Sequence, residues 1–184
     1  MLDSLIYFLE HEGAPASRFS GMFREISVAT KTTLVSEGEH IKSIYFVRKG
    51  CLRLWFNSQG RDLTYQFFFE NQVVSGFLDD EKSPFWLESI EPSTIVIIRL
   101  KDFGTLLEEV PGLKDQYLGY LTQRLAFYSR LFLSRIKDSP AKRYDSLLKE
   151  HPEILLRVPQ HYIATFLGIT PVSLSRIRNK KTGK

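Results

Sequence analysis

Residues 158–178 read VPQHYIATFLGITPVSLSRIR, and this segment decides how the rest of the chain is interpreted. Pro159 can open a helix, and Gly168 can adopt the positive φ that a tight turn requires. Thr170 can then cap a second helix that has Pro171 in its first turn. Two short helices joined by such a turn form a helix-turn-helix, which is the structure this spacing predicts.

The second of these helices carries side chains suited to nucleic acid. Arg176 can form a bidentate pair with guanine, and Val172 offers methyl groups to thymine. Polar groups at the helix starts and the basic end of the chain can contact phosphates. The predicted DNA-contacting residues are Gln160, His161, Thr170, Pro171, Val172, Ser173, Ser175, Arg176, Arg178, Lys180 and Lys181. For Gln160, His161 and Ser173, helix capping or simple exposure to solvent is an equally good interpretation.

Charge is distributed unevenly along the 184 residues. Residues 141–184 contain 9 Lys and Arg against 3 Asp and Glu, a net charge of +6, whereas residues 1–140 have a net charge of −2. A basic module after a neutral body is typical of nucleic-acid-binding proteins, because cationic side chains neutralise backbone phosphates. A solvated basic tail would have the same composition.

Composition argues against several other classes of protein. No apolar run approaches the roughly 18 residues of a membrane span, so we expect no membrane partner and place the protein in the cytoplasm. The single Cys51 cannot form an intrachain disulfide, and we interpret it as a packing residue rather than a redox sensor. The four histidines lack metal-ligand spacing, and no carboxylate pair is placed for acid–base chemistry. We therefore expect no metal site and no catalytic residues, and hence no enzyme.

The first half of the chain has the pattern of an all-β unit. Between residues 27 and 99, short apolar segments alternate with turn signals such as Lys49-Gly50 and the segment 57–60. This pattern predicts a sandwich, a barrel or a jelly roll. The period then changes to that of helices, with Asp102 as the expected cap of a short helix that begins at Phe103.

A long helix is predicted to follow, with Pro111 in its first turn and its end near residue 138. It would cover about 27 residues and about 40 Å. Its two adjacent apolar stripes are wider than one small β unit can cover, which indicates a homodimer. The predicted interface consists of Leu113, Tyr117, Leu118, Leu121, Leu125, Tyr128 and Phe132. The alternative is a helix that lies wholly against its own domain.

Together these features resemble the Crp–Fnr family of bacterial transcription regulators, and most closely its short members from the Bacteroidetes. The resemblance is carried by IYFVRKGCLRL at residues 44–54, by Pro111, and by YIATFLGITP at residues 162–171. It covers nearly the whole chain.

The resemblance implies an α+β fold in three parts. These are a jelly-roll, cyclic-nucleotide-binding-like sensor domain over residues 1–110, a dimerisation helix over 111–138, and a helix-turn-helix DNA-binding domain over 139–184. The family's DNA-binding domain also has a two-stranded wing. Because the sequence stops at Lys184, we expect most of that wing to be missing.

The nucleotide-binding signature of the family is altered in this chain. Members that bind cyclic AMP carry a Gly-Glu that holds the ribose and an Arg followed by Ser or Thr that holds the phosphate. Here the Gly-Glu position is Val74-Ser75, and no Arg occurs between Arg61 and Arg99. We therefore expect no cofactor and no cyclic AMP binding. The remaining pocket residues either fill the site as core or line a remodelled apolar effector site: Phe67, Phe69, Val74, Ser75, Phe77, Phe85 and Trp86.

The function that the resemblance implies is transcription regulation by a homodimer that reads palindromic double-stranded DNA, with RNA polymerase as a further candidate partner. Pro171-Val172 stands where the catabolite activator has Arg-Glu, whereas the family's later arginine is kept as Arg176. The operator should therefore differ. The alternative function is that of a ligand-binding sensor module that acts through protein partners without binding DNA.

Overall fold

The structure, a computed structural model, describes residues 16–75 and 82–182. Packing divides the chain into two compact units. The first contains the described residues up to Leu54 together with those of the range Phe67–Leu121, and the second contains Trp55–Gln66 and the residues from Thr122 onward. The predicted division follows the order of the chain, whereas this division follows packing, so that residues 55–66 group with the C-terminal helices.

The strands form a two-sheet sandwich, which confirms the all-β prediction for residues 27–99. The sheets have the orders β1-β8-β3-β6 and β2-β7-β4-β5. The pairs β1–β8, β3–β8, β3–β6 and β2–β7 are antiparallel. The strands are β1 (Phe23–Val28), β2 (Thr33–Val35), β3 (Ser43–Lys49), β4 (Leu52–Ser58), β5 (Arg61–Phe68), β6 (Val73–Ser75), β7 (Trp86–Ser89) and β8 (Ser93–Arg99).

Alternation along the strands divides the apolar residues of the first unit between two core clusters. Ile44 and Phe46 of β3 belong to one cluster, which also contains Val96 and Ile98 of β8. Val47 belongs to the other cluster. The other members of that second cluster are Val35, Leu52, Phe68, Val74, Leu87 and Ile95. Successive side chains of a strand point to opposite faces, so each β3 residue is committed to one cluster by its position.

The turn between β3 and β4 requires glycine, as the Lys49-Gly50 signal predicted. Gly50 has a φ of +98°, and a Cβ added there would lie 2.2 Å from the Ser93 Oγ. Its backbone N–H donates a hydrogen bond of 2.8 Å to the Glu70 carboxylate. Cys51, the next residue, is completely buried, in agreement with a packing role.

The helices follow the predicted order with two corrections at their starts. The helix after β8 begins at Leu100 with Arg99 at the cap position, and Asp102 is not its cap. Asp102 instead accepts a hydrogen bond of 2.5 Å from Arg99 Nε. The long helix begins at Leu113 and not at Pro111, because Gly112 turns the chain with a φ of +75°.

The helices are α1 (Ala16–Phe19), α2 (Leu100–Glu109), α3 (Leu113–Lys137), α4 (Pro140–Glu150), α5 (Ile154–Arg157), α6 (Gln160–Phe166) and α7 (Pro171–Thr182), and a 3-10 turn spans Ser20–Met22. At 25 residues, α3 is about 37 Å long. Ser139 caps α4, since its side chain accepts a hydrogen bond from the Lys142 N–H. Within the described part of the chain, none of the helices combines the length and apolarity needed to cross a membrane.

Candidate nucleic-acid interface and dimer seam

The α6–α7 pair is built as its sequence predicts. Helix α6 ends at Phe166, and Gly168 turns the chain with a φ of +69°. The Thr170 Oγ1 accepts a hydrogen bond of 3.1 Å from the Ser173 N–H, which caps α7, and Pro171 is the first residue of that helix. These contacts stabilise the start of a helix that is only 12 residues long.

Apolar side chains hold the two helices together. Ile163 and Ala164 of α6 and Leu174 of α7 are completely buried, and Leu167 at the turn is nearly so. The methyl side chain of Ala164 takes little space between the helices. With these positions inside, Val172, Ser175, Arg176 and Asn179 are left on the outer surface of α7.

The outer face of α7 contains part of the predicted DNA-contacting set. Val172, Ser175 and Arg176 are exposed, and Asn179 lies exposed on the same face one turn further on. Pro171 and Lys180 of α7 are exposed as well. Gln160 and His161 at the start of α6, and Thr170 directly before α7, are also exposed. Residues at spacings of three, four and seven share one side of a helix, so this face is continuous.

Two of the predicted DNA-contacting residues are less accessible to solvent, and the side chain of a third lies outside the described residues. Ser173 is half-buried beside the Thr170 hydroxyl. Arg178 is half-buried, and its charge acts on Tyr144 of α4, whose phenol pKa is raised by burial and lowered by that charge. Arg178 follows the buried Leu174 by four residues, so it lies on the inner side of α7 and not on its outer face. The side chain of Lys181 lies outside the described residues.

Two arginines that sequence reasoning did not single out hold the turn between α6 and α7. Arg135 of α3 donates a hydrogen bond to the Phe166 carbonyl, and its guanidinium lies 5.7 Å from the Phe166 ring centre. Arg143 of α4 donates to the Leu167 carbonyl at 2.9 Å and to the Asp138 carbonyl at 2.6 Å. These are the carbonyls that a helix C-terminus leaves without intrahelical partners. Burial, and then the nearby charge of Arg143, lower the pKa of Arg135.

The exposed apolar face of α3 has a different register from the predicted interface. Leu118, Leu125, Phe132 and Ile136 are 63%, 68%, 67% and 68% exposed. Together with exposed Thr122 and Ser129, they follow alternating spacings of four and three residues. We name this face the seam, and its residues are Leu118, Thr122, Leu125, Ser129, Phe132 and Ile136.

The other residues of the predicted interface pack against the rest of the same chain. Leu113 is only 4% exposed and belongs to the core of the first unit. Tyr117 packs against that core with its ring 5.0 Å from the Phe103 ring. Leu121 is half-buried, and the Tyr128 hydroxyl donates a hydrogen bond to Gln66. Leu121 and Tyr128 thus lie on the inner side of α3, and each directly precedes a residue of the seam in the sequence.

The predicted effector residues lie in the β sandwich where they are described. Phe67, Phe69 and Val74 are buried, Phe85 is half-buried, and the half-buried Trp86 donates a hydrogen bond to Glu37. The Ser75 side chain and the whole of Phe77 lie outside the described residues. On β4, the buried guanidinium of Arg53 forms an ion pair of 2.9 Å with Glu88.

Comparison with known proteins agrees with this architecture. Residues 25–110 match the sequence model of the cyclic nucleotide-binding domain family. The sequence matches no curated protein at a significant level.

Solved structures of low sequence identity share the fold of this chain. A CooA mutant from Carboxydothermus hydrogenoformans is similar with a TM-score of 0.73 and 17% identity, over 97% of this chain and 84% of that one. The c-di-GMP responsive global regulator CLP from Xanthomonas campestris has a TM-score of 0.69 and 18% identity, over 91% and 90%. FixK2 from Bradyrhizobium japonicum has a TM-score of 0.69 and 19% identity, over 88% and 86%. These findings confirm the resemblance to the Crp–Fnr regulators.

Proposed function

We propose that this chain, whose residues 25–110 belong to the cyclic nucleotide-binding domain family and whose fold is that of the Crp–Fnr regulators, is a homodimeric, sequence-specific DNA-binding transcription regulator. In this proposal the α6–α7 pair is the helix-turn-helix, and α7 enters the major groove. The observation that carries the proposal is the exposed outer face of α7, with Arg176 at its centre, on a helix that is capped and held from behind.

Some residues of α7 would contact the bases of the DNA, and others would contact its phosphates. Arg176 presents a guanidinium fork that matches the O6 and N7 atoms of guanine, and exposed Val172 can contact a thymine methyl. Lys180, near the end of the helix, is placed for a phosphate, and such a contact positions the protein without reading sequence. Arg178 would contribute to the positive potential from its half-buried place beside α4.

Reading a palindrome requires two copies of α7, and the seam supports a dimer. Its spacings of four and three residues are those of the a and d positions of a two-stranded coiled coil. Leu118, Leu125 and Phe132 fall at one of these positions, and Thr122, Ser129 and Ile136 at the other. Four large apolar side chains exposed in one line on a single protomer are typical of an interaction site.

The test is the selection of bound fragments from random DNA, followed by affinity measurements with variants. We expect a palindromic site with half-sites about 34 Å apart, bound in the nanomolar range typical of specific regulators. Arg176→Ala should cost about 1–3 kcal/mol per half-site and relax the preference at one base pair. The matched control, Lys180→Ala, should weaken all sequences equally and lower the salt slope by about one unit. Binding that is indifferent to sequence, with equal effects of both variants, would contradict the proposal.

A further inference from the structure

The tip of the β4–β5 hairpin, residues 55–66, packs with the helices of the second unit. Nothing in the sequence of the hairpin predicts this, because its turn signals and strand pattern are those of the preceding β unit. Three consecutive residues near the end of this segment contact these helices: Thr64, Tyr65 and Gln66.

Thr64 is joined to helix α6 by two hydrogen bonds. Its backbone N–H lies 3.3 Å from the Thr165 Oγ1, and its own Oγ1 lies 2.9 Å from the same atom. The Thr165 hydroxyl also donates to the Tyr162 carbonyl at 3.0 Å. A hydroxyl has a single hydrogen, so all three contacts form together when Thr165 donates to Tyr162 and accepts both bonds from Thr64. Thr64 is buried, so water does not readily replace these bonds.

Gln66 and Tyr65 are joined to the long helix α3. The Gln66 Oε1 accepts hydrogen bonds from the Tyr128 hydroxyl at 2.8 Å and from Arg124 at 3.3 Å. The Arg124 guanidinium lies 4.8 Å from the Tyr128 ring centre, and the Tyr65 ring lies 6.2 Å from the same ring. Burial raises the pKa of Tyr128, and the protonated phenol is the donor to Gln66. The tip therefore bridges α3 and α6.

The bridge meets α6 next to the turn that precedes the DNA-reading helix. Thr165 directly precedes Phe166 and Leu167, whose carbonyls are bound by Arg135 and Arg143. Contacts from three separate segments, the hairpin tip, α3 and α4, thus converge on residues 165–167. The outer face of α7 remains exposed while these contacts are formed.

We infer that the β4–β5 hairpin tip is a positioning element of the DNA-binding unit, in which the Thr64–Thr165 contact fixes the orientation of α6 and thereby of the reading helix α7. This inference rests on the proposed function. Thr64 and Thr165 are positioning residues, because they act on DNA through α7 and lie behind its reading face. Loss of the contact should weaken binding to the operator more than binding to random DNA, since a misoriented α7 still presents positive charge.

A double-mutant cycle on the full-length protein tests the inference. The variants are Thr64→Val, Thr165→Val and the double variant, with Thr64→Ser as the conservative rescue. Thr105→Val is the matched control, because Thr105 is a half-buried threonine on α2 whose hydroxyl donates to the Lys101 carbonyl of the same helix. Affinity for the selected operator and for random duplex is measured well below the melting temperature, on samples whose circular dichroism matches that of the wild type.

We expect Thr165→Val to lower operator affinity about tenfold and Thr64→Val somewhat less, because valine at 64 keeps the backbone N–H bond. The double variant should be no worse than Thr165→Val alone, since both changes remove one shared interaction. Thr64→Ser and Thr105→Val should bind as the wild type does, and random duplex should be affected at most about twofold.

Two different results would count against these ideas, and they can be told apart. If wild-type protein prefers its operator but Thr165→Val keeps that preference, or if the effects of the two single variants simply add, the inference is overturned and the proposed function stands. If the wild type shows no preference for any DNA sequence, the proposed function fails, and the role of the tip in DNA reading fails with it. The unfolding free energies of the same cycle then report separately whether Thr64 and Thr165 interact.

Discussion

Leu125→Glu is expected to convert the dimer into monomers, and the structure sets the size of the effect. Full burial of a leucine side chain is worth about 1.5–3 kcal/mol. Leu125 is already about one-third covered in a single protomer, so the dimer would bury the remaining 68%, or about 1–2 kcal/mol. Both protomers carry the change, which gives about 2–4 kcal/mol. At 1.4 kcal/mol per tenfold, the dissociation constant rises roughly 30- to 700-fold before any charge repulsion is added.

Sedimentation equilibrium measures this change directly. The wild type should have about twice the 21.4 kDa protomer mass at micromolar concentration, and Leu125→Glu about the single mass. Gln123→Glu introduces the same carboxylate at an exposed position of α3 that lies outside the seam, and it should leave the dimer intact. Ser129→Ile, a β-branched residue placed within the seam, should tighten the dimer.

The reasoning fails if wild-type protein is a monomer at tens of micromolar. It also fails if Gln123→Glu dissociates the dimer as strongly as Leu125→Glu does, because the contact would then lie on another side of α3. An unchanged or weaker dimer in Ser129→Ile would place Ser129 outside the interface and refute the register of the seam.

Two further predictions concern the β sandwich. Gly50→Ala should lower the melting temperature at least about 4 °C more than Gly60→Ala, as measured by calorimetry. Both glycines have positive φ, but the new Cβ meets Ser93 at 2.2 Å only at position 50, whereas nothing lies within 4 Å at position 60; equal shifts would contradict this. Cyclic AMP and cyclic GMP should show no calorimetric binding at micromolar concentration, because the buried Arg53 is already paired with Glu88 and exposed Lys82 is a poor substitute for a guanidinium. A dissociation constant below about 10 µM would overturn that expectation.

Local chemistry made much of the structure predictable from the sequence. Gly168, Thr170 and Pro171 each act within a few residues of the chain, through a positive φ, a cap and a fixed first turn. Gly50 is of the same kind. Where a local prediction was wrong, the helix begins at a different residue from the one expected. Helix α2 begins before Asp102, so that residue pairs with Arg99 and does not cap the helix.

Contacts between distant segments could not be predicted in this way. Thr64 and Thr165 are 101 residues apart, and threonine is common both in strands and in helices, so neither position carries a signal of their contact. Arg135 and Arg143 have ordinary helical surroundings in the sequence, and only the fold brings them to the carbonyls of the turn.

The register of the long helix illustrates the same limit. Periodicity showed that α3 has a wide apolar arc, and that Leu118, Leu125 and Phe132 belong to it. Whether Leu121 and Tyr128 or Thr122 and Ser129 complete the outward face depends on which residues the protomer itself covers. The hairpin tip covers Tyr128 through Gln66, which leaves the smaller polar residues on the outside. A hydrophobicity pattern favours the apolar choice, whereas the structure of the single chain exposes Thr122 and Ser129.

In the proposed function, dimerisation and DNA reading use different residues of this chain, and mass action would couple them. A palindrome offers two half-sites, and within a dimer the second α7 reaches its half-site at a high effective concentration once the first has bound. On this proposal the seam would contribute to operator affinity without touching DNA, and Leu125→Glu should weaken operator binding even if Arg176 reads its base unchanged. The contribution of dimerisation and that of base reading can be measured separately, because each variant should leave one property unchanged. Arg176→Ala leaves the sedimenting mass at that of the dimer, whereas Leu125→Glu leaves the base preference within each half-site as it was. Only a protein in which α7 reads sequence and α3 supplies the second copy gives both of these results.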